Sequence, residues 1–294
     1  MTDPSAPLVT IAMPVFNGGL YVAAAVRSIV AQSFADWELL IIDDGSTDGA
    51  LGRLSELADY RIRLIRDGRN LGLAARLNQA IEQARGRYFA RMDHDDVAHP
   101  ERLHHQLLYM EGNPAVDLLG TKCVAISEDY EILGEFPFSA THAEICRRPW
   151  LGFYLAHPTW LGRTDWFRRH RYAQPAPFRC EDQELLLRAH ANSTYHALAT
   201  PLLAYRVRNR VELRSLLRTR MTLSGVQCHY FWGRGQILAA ATAVAAALAR
   251  MAKDVLLPPT GDRRAEVATE LPAEEHVWWT KWLTKMKQSA RPAG

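Results

Sequence analysis

Three carboxylates within four residues, Asp93, Asp95 and Asp96 around His94, close the short apolar run Tyr88-Phe89-Ala90. Like charges this close repel, and each needs solvent or a cation. All-oxygen donors at a strand end suit a hard divalent ion; a solvated acidic turn accounts for the same residues. Two further acidic groups stand out. Asp43-Asp44-Gly45-Ser46-Thr47-Asp48 follows the apolar run Trp37 to Ile42, and Glu181-Asp182 opens a helical stretch reaching Ala191. A carboxylate at a helix start caps free backbone N–H groups. It is also well placed to act as a general base.

The elements that must position these groups alternate. Leu8 to Met13 reads as a buried strand ending at Pro14, and Asn17-Gly18-Gly19 as a turn. A helix from about Leu20 carries Val22, Ala25, Val26 and Ile29 on one stripe. Trp37 to Ile42 is the second strand, followed by a helix from about Ala50, and Ile62 to Ile65 is the third strand. Asn70-Leu71-Gly72 turns into a helix over Ala74 to Ala84, Gly86 stops it, and Tyr88 to Met92 is the fourth strand. Such alternation predicts an α/β class with a mostly parallel, Rossmann-like sheet and helices on both faces. Ligands then sit beyond the carboxyl ends of the strands. Pro14 to Asn17, Asp43 to Asp48 and Asp93 to Asp96 therefore share one edge. Beyond Pro100 the pattern predicts a helix, a strand at Val116 to Gly120 and a hairpin over 123–140 leaving the main sheet. The aromatics Trp150, Phe153, Tyr154, Trp160, Trp166 and Phe167 suit a core, or the wall of an acceptor pocket.

The composition is that of an ordinary globular protein, 48% hydrophobic and 23% charged over 294 residues. A formal net charge of +3, without an arginine-rich run, gives no reason to expect nucleic acid. Cys123, Cys146, Cys180 and Cys228 form no CxxC pair, which argues for free thiols in a reducing compartment. Met1 to Pro7 lacks the apolar core of a signal peptide, so the expected setting is cytoplasmic.

The ordered set Pro14-Val15-Phe16-Asn17, Ile42 to Asp48, Asn70-Leu71-Gly72 through Asn78, Ala84 to Tyr88, Asp93 to Asp96 with Pro100, and Glu181-Asp182 leading to Leu187-Arg188 resembles the family 2 glycosyltransferases, which have the GT-A fold. The resemblance covers about residues 8–208. It implies an inverting enzyme using a nucleotide-diphosphate sugar and Mg²⁺ or Mn²⁺. Carried over, Asp44 reads the uracil base, Pro14 and Phe16 line the nucleoside pocket, and Arg76 contacts base or diphosphate. Asp93 lies near the ribose, Asp95 ligates the metal, and Asp182 is the catalytic base. The Gln-x-x-Arg-Trp motif of processive synthases is absent, which points to one sugar per event; the expected acceptor is a glycan or a lipid-linked one. Arg206 and Arg208 suit a diphosphate clamp or solvated surface charge. A nucleotidyltransferase is a second reading; it needs a basic glycine-rich loop, and Asn17-Gly18-Gly19-Leu20 has no Lys or Arg. A non-catalytic nucleotide-binding module is a third, and the complete set Asp44, Asp93, Asp95 and Asp182 argues against it.

The expected organisation is a catalytic domain over 1–215 and a helical extension over 216–294. Within the domain, a donor half spans about 8–120 and an acceptor half 121–215. From Gly235 to Ala249 no residue is charged. A helix there spans about 22 Å, short of a hydrocarbon core of about 30 Å. Ile237, Val244, Leu248, Met251 and Val255 form a stripe that suits packing on the domain, a partner helix or a membrane interface. Pro258 to Asp262 reads as a break, and the tail after Ser289 as disordered. Trp278, Trp279 and Trp282, among Lys281, Lys285 and Lys287, suit an interfacial anchor or a helix docking its Trp face on the domain.

Overall fold

In a computed structural model, residues 6–56, 58–208, 212–256 and 269–289 are described. The Pro258 to Asp262 break and the tail after Ser289 lie outside them. In chain order the first elements are β1 (Val9–Val15), α1 (Tyr21–Val30), β2 (Trp37–Asp43), β3 (Ile62–Arg66), α2 (Leu73–Gln83) and β4 (Tyr88–Arg91). Then come β5 (Val97–Ala98), α3 (Arg102–Gly112), β6 (Leu118–Ile126), β7 (Ile132–Glu135), α4 (His142–Ile145), β8 (Leu161–Arg163) and α5 (Thr164–Arg169). The rest are α6 (Glu181–Ala189), β9 (Tyr195–Arg206), α7 (Leu213–Trp232), α8 (Ile237–Leu256) and α9 (Ala273–Ser289). The segment after Ala50 is a 3₁₀ helix to Glu56 instead of an α-helix.

One curled sheet runs in the order β3-β2-β1-β4-β8-β6-β9-β5, with β7 on β6. The first four strands are parallel throughout. Beyond β4 the pairing is mixed: β8 is antiparallel to both β4 and β6, while β6 and β9 are parallel. The three residues of β8 alone join the halves of the sheet. β1 and β2 are buried along their whole length, as strands covered on both faces must be. Alternate residues feed opposite cores. Ile11, Met13, Leu39 and Ile41 meet Val26 and Ile29 of α1; Ala12, Leu40 and Ile42 meet Leu77 and Ile81 of α2.

β1 continues through Pro14 to Val15. The carbonyl of Ala12 faces β4 and accepts from Met92 N at 3.0 Å. Pro14 points the same way two residues on, where β4 has ended, so its missing N–H forfeits no ladder bond. Most of the expected aromatics are core: Phe153, Trp160, Trp166 and Phe167 are buried, whereas Tyr154 is exposed. Part of α9 turns inward. Trp279, Leu283 and Met286 pack on Ala24, Val97 and Ile126, and Trp282 Nε1 donates to Ala98 O at 3.0 Å. Trp278, stacked on His99, stays 37% exposed, so the helix docks on the domain and still shows one ring to solvent.

Gly86 makes the tightest backbone approach. Thr10 Oγ1 accepts from both Arg85 N and Gly86 N, and donates to the buried Glu38 carboxylate at 2.7 Å. A Cβ at Gly86 would lie 2.5 Å from Thr10 N and 2.7 Å from Val9 C. Gly86→Ala should therefore destabilise the fold by about 1–3 kcal/mol. Gly112→Ala, where a Cβ meets nothing within 4 Å, should be near neutral. Chemical unfolding of the two variants checks the contrast.

Candidate active site

The carboxyl ends of β2, β1 and β4 lie side by side, and the three segments that follow them are tied together. Asp44 N donates to Val15 O at 2.8 Å, Asn17 N to Ser46 Oγ at 3.0 Å, Thr47 N to Asn17 Oδ1 at 2.9 Å and Gly19 N to Asp48 Oδ2 at 2.8 Å. Asn17 takes a left-handed φ of 50°, which Asn tolerates better than most residues. A Cβ at Gly18 would lie 3.3 Å from the His94 ring, so the first loop touches the acidic turn.

Asp44 is buried, and its carboxylate binds the segment after β3. Oδ1 accepts from Leu71 N at 2.7 Å and Arg76 Nε at 2.8 Å, and Oδ2 from Gly72 N at 3.0 Å. Arg76 is 1% exposed. Its Nη groups donate to both oxygens of Asp67, to Gln79 Oε1 and to Arg69 O. All five guanidinium N–H groups are thus taken within the chain. Arg76 positions Asp44 and its loop, and a direct ligand contact would require one of these bonds to open. Pro14 is buried in β1, and Phe16 just beyond it is 48% exposed at the mouth.

The acidic turn rests on three buried arginines. Arg91 Nη1 lies 2.6 Å from Asp93 Oδ2. Arg102 Nη2 donates to Arg91 O at 2.8 Å; burial brings its pKa down to about 10, which leaves it charged near neutral pH. Arg206 N donates to Asp96 Oδ1 at 2.8 Å, and its Nε to Asp95 O at 2.8 Å. Arg206 is 4% exposed and its guanidinium carbon sits about 4 Å from the ring centroids of both Tyr21 and Tyr130. It is a structural staple, neither solvated charge nor a clamp free to close. Arg208, by contrast, is exposed, and its charge acts on Asp95.

Burial beside neighbouring carboxylates pushes Asp95 upward and Asp96 well above the usual carboxylate range. Among the described residues, Asp96 Oδ2 is buried without a hydrogen-bond partner. No set of three or more His, Cys, Asp or Glu among those residues is arranged to hold a metal ion alone. The hard oxygens of Asp95 and its neighbours still fit Mg²⁺ or Mn²⁺, which commonly take one or two carboxylates and complete their shell with substrate phosphates and water.

The first turn of α6 brings Glu181 and Asp182 to the same place. Gln183 fixes it: Oε1 accepts from Phe153 N at 2.9 Å, and Nε2 donates to Phe153 O at 3.2 Å and Asp182 Oδ2 at 3.3 Å. Burial raises the pKa of Asp182, opposed by backbone N–H groups of its own turn and by the charge of Arg91. Glu181, half-buried beside Asp182, is pushed up to about 7, chiefly by desolvation and then by the Asp182 charge. Asp93 and Arg91 also act on Glu181, and all four of these residues act on the buried Tyr172 phenol. Tyr172 OH lies 2.7 Å from His157 Nε2, and its backbone pairs reciprocally with the Asn78 amide. The acidic turn and the α6 carboxylates thus form one electrostatic cluster around Arg91. Arg91 and Tyr172 escaped the sequence reading, which named Glu181 only beside Asp182. Arg91 alone left a signal, a charge ending an apolar strand two positions before Asp93.

A family model described as glycosyl transferase family 2 matches residues 10–171. The chain belongs to this family. It is 30% identical over 232 residues to the uncharacterized glycosyltransferase MJ1057 of Methanocaldococcus jannaschii, covering 77% of this chain and 80% of that one. To WfgD of Escherichia coli, a UDP-Glc:alpha-D-GlcNAc-diphosphoundecaprenol beta-1,3-glucosyltransferase, it is 31% identical, over 49% of this chain and 57% of that one. The chain spans about half the length of several other curated relatives it matches. Two solved structures share its fold. Staphylococcus aureus TarS 1-349 with UDP-GlcNAc superposes with a TM-score of 0.65 at 16% identity, over 96% of this chain and 81% of that one. Mannosyltransferase PcManGT of Pyrobaculum calidifontis with GDP-Man and Mn²⁺ gives 0.57 at 18% identity, over 99% and 88%. The protein is a family 2 glycosyltransferase with the GT-A fold.

The raised pKa of Glu181 makes stability depend on pH. Between its ordinary 4.5 and about 7 the folded protein holds a proton that the unfolded chain has lost. Stability must therefore fall as pH rises through this window. Unfolding midpoints in urea should fall less between pH 5 and pH 8 for Glu181→Gln than for the unmodified protein.

Proposed function

We propose that the enzyme transfers one sugar, with inversion, from a UDP-sugar to a hydroxyl of a glycan or lipid-linked acceptor, using Mg²⁺ or Mn²⁺ at Asp95. The observation that carries this reading is the cluster itself: a carboxylate in the first turn of α6 acts on the same buried arginine as the acidic turn after β4. Residues 8–120 supply the donor side and 121–215 the acceptor side. Pro14 and Phe16 line the nucleoside pocket, with Asp44 reading the base through a carboxylate already fixed by Leu71, Gly72 and Arg76. Asp93 serves the ribose side. The UDP-Glc in the name of WfgD, and the UDP-GlcNAc bound to TarS, support the uridine reading. The diphosphoundecaprenol in the name of WfgD supports a lipid-linked acceptor. The Mn²⁺ of PcManGT supports the metal.

Asp182 removes the acceptor proton as the hydroxyl attacks opposite the leaving group. Its raised pKa strengthens it as a base, while Gln183 and the backbone of α6 orient it. When bound, the cation would neutralise charge on the diphosphate oxygens as a Lewis acid. Arg208, exposed near Asp95, is placed to meet the departing diphosphate. Arg91 is a positioning residue: it touches Asp93, and its charge favours the ionised form of Asp182.

Thermal shifts with UDP, dTDP and GDP, each with and without Mn²⁺, test the donor and metal together. UDP at a hundredfold excess over its dissociation constant should add about 2.7 kcal/mol, part of it requiring Mn²⁺ and lost in Asp95→Asn. Indifference to every nucleoside diphosphate would sink the reading. Asp182→Asn should keep the UDP shift and lose about 10²–10⁴-fold in transfer rate; unimpaired transfer would remove Asp182 as the base.

A further inference from the structure

Helix α8 hides its small residues and shows its large ones. Ala240, Ala243 and Ala247 are buried toward the rest of the protein. On the other side Leu238 is 86% exposed, Leu256 78%, Leu248 58% and Val255 54%. Helical geometry puts these four on one stripe, with alanines between them. A helix that only packed on its own domain would bury the leucines first. A continuous exposed apolar stripe of this kind marks a contact surface.

Charge selects the occupant. From Leu213 to Leu256 the exposed charged residues are Arg214, Arg218, Arg234 and Lys253, all cationic, and the exposed Glu212 stands just before α7. The one acidic residue in that span, Asp254, is buried and paired with Arg220 at 3.1 Å. An isologous contact along α8 would bring Arg234 and Lys253, just before and near the end of that helix, close to the same cations of the second copy. A bilayer with anionic headgroups accepts both features: leucines enter the acyl boundary and cations meet lipid phosphates. No helix among the described residues is long and apolar enough to cross a membrane, so the geometry is that of a helix lying in the interface.

We propose that the α7–α8 hairpin docks the enzyme on an anionic lipid bilayer, with Leu238, Leu248, Val255 and Leu256 inserted. The proposal is independent of the catalytic reading, because none of these residues belongs to the active site. The test is co-sedimentation of the full chain with vesicles of equal parts phosphatidylglycerol and phosphatidylcholine, and with phosphatidylcholine alone. Binding should favour the anionic vesicles. The combined variant Leu238→Gln, Leu248→Gln, Val255→Gln should bind about tenfold less or weaker still while keeping its melting temperature. Arg234→Gln with Lys253→Gln should erode the preference for anionic lipid. Equal sedimentation of the triple variant and the unmodified chain overturns the proposal. So does absence of vesicle binding together with a dimer that Leu248→Gln dissociates, which would assign the face to a second copy.

Discussion

Carboxylates gathered at one sheet edge repel each other, and the fold answers with guanidinium groups buried beneath them. Arg91 faces Asp93 from inside β4. Arg206 binds the backbone of Asp95 and the side chain of Asp96 from the end of β9. Arg102 holds the carbonyl of Arg91 from α3. A buried charge is tolerated only when paired and hydrogen-bonded, so cations and anions depend on each other for their position. The adjoining β4 and α3, and the distant β9, are thereby committed to one turn. Its shape is fixed by electrostatics inside the protein before any ligand arrives.

The rim around Asp44 and the helix start around Asp182 are built by different means. Around Asp44 the bonds run from side chains to loop backbone, so three loops act as one rigid rim. Around Asp182 a helix start is held by one amide, Gln183, clasping Phe153. The first arrangement suits recognition of a flat base by fixed polar atoms. The second leaves a carboxylate oriented and only partly shielded, an arrangement that suits a general base.

The parallel half of the sheet and its three loops were legible because β1, β2 and β4 are short apolar runs that end in polar turns. Strand β9 was not legible. It carries Thr200 and Pro201 in its middle, its pairing with β6 shifts register there, and its burial follows no simple alternation. Strand β8 is too short to leave a pattern. The carboxylates of the site could be read from their spacing, but the roles of the arginines could not. Whether Arg206 is a solvated charge or a staple depends on Tyr21 and Tyr130, which reach it only in the folded chain. Tertiary packing likewise sets Trp279 of α9 against Ala24 and Val97, which a composition suited to water, lipid and protein surfaces alike does not specify.

The narrowness of β8 has a mechanical meaning. Its ladders to β4 and β6 are three and two residue pairs long, whereas β1 and β2 pair over seven. Buried side chains therefore carry much of the joint: Gln106 Nε2 donates to Leu119 O and Thr159 O, and Thr164 Oγ1 to Gly86 O. Where backbone ladders are this short, the register of the two halves depends on a few side-chain identities, which a long ladder of main-chain bonds would not require.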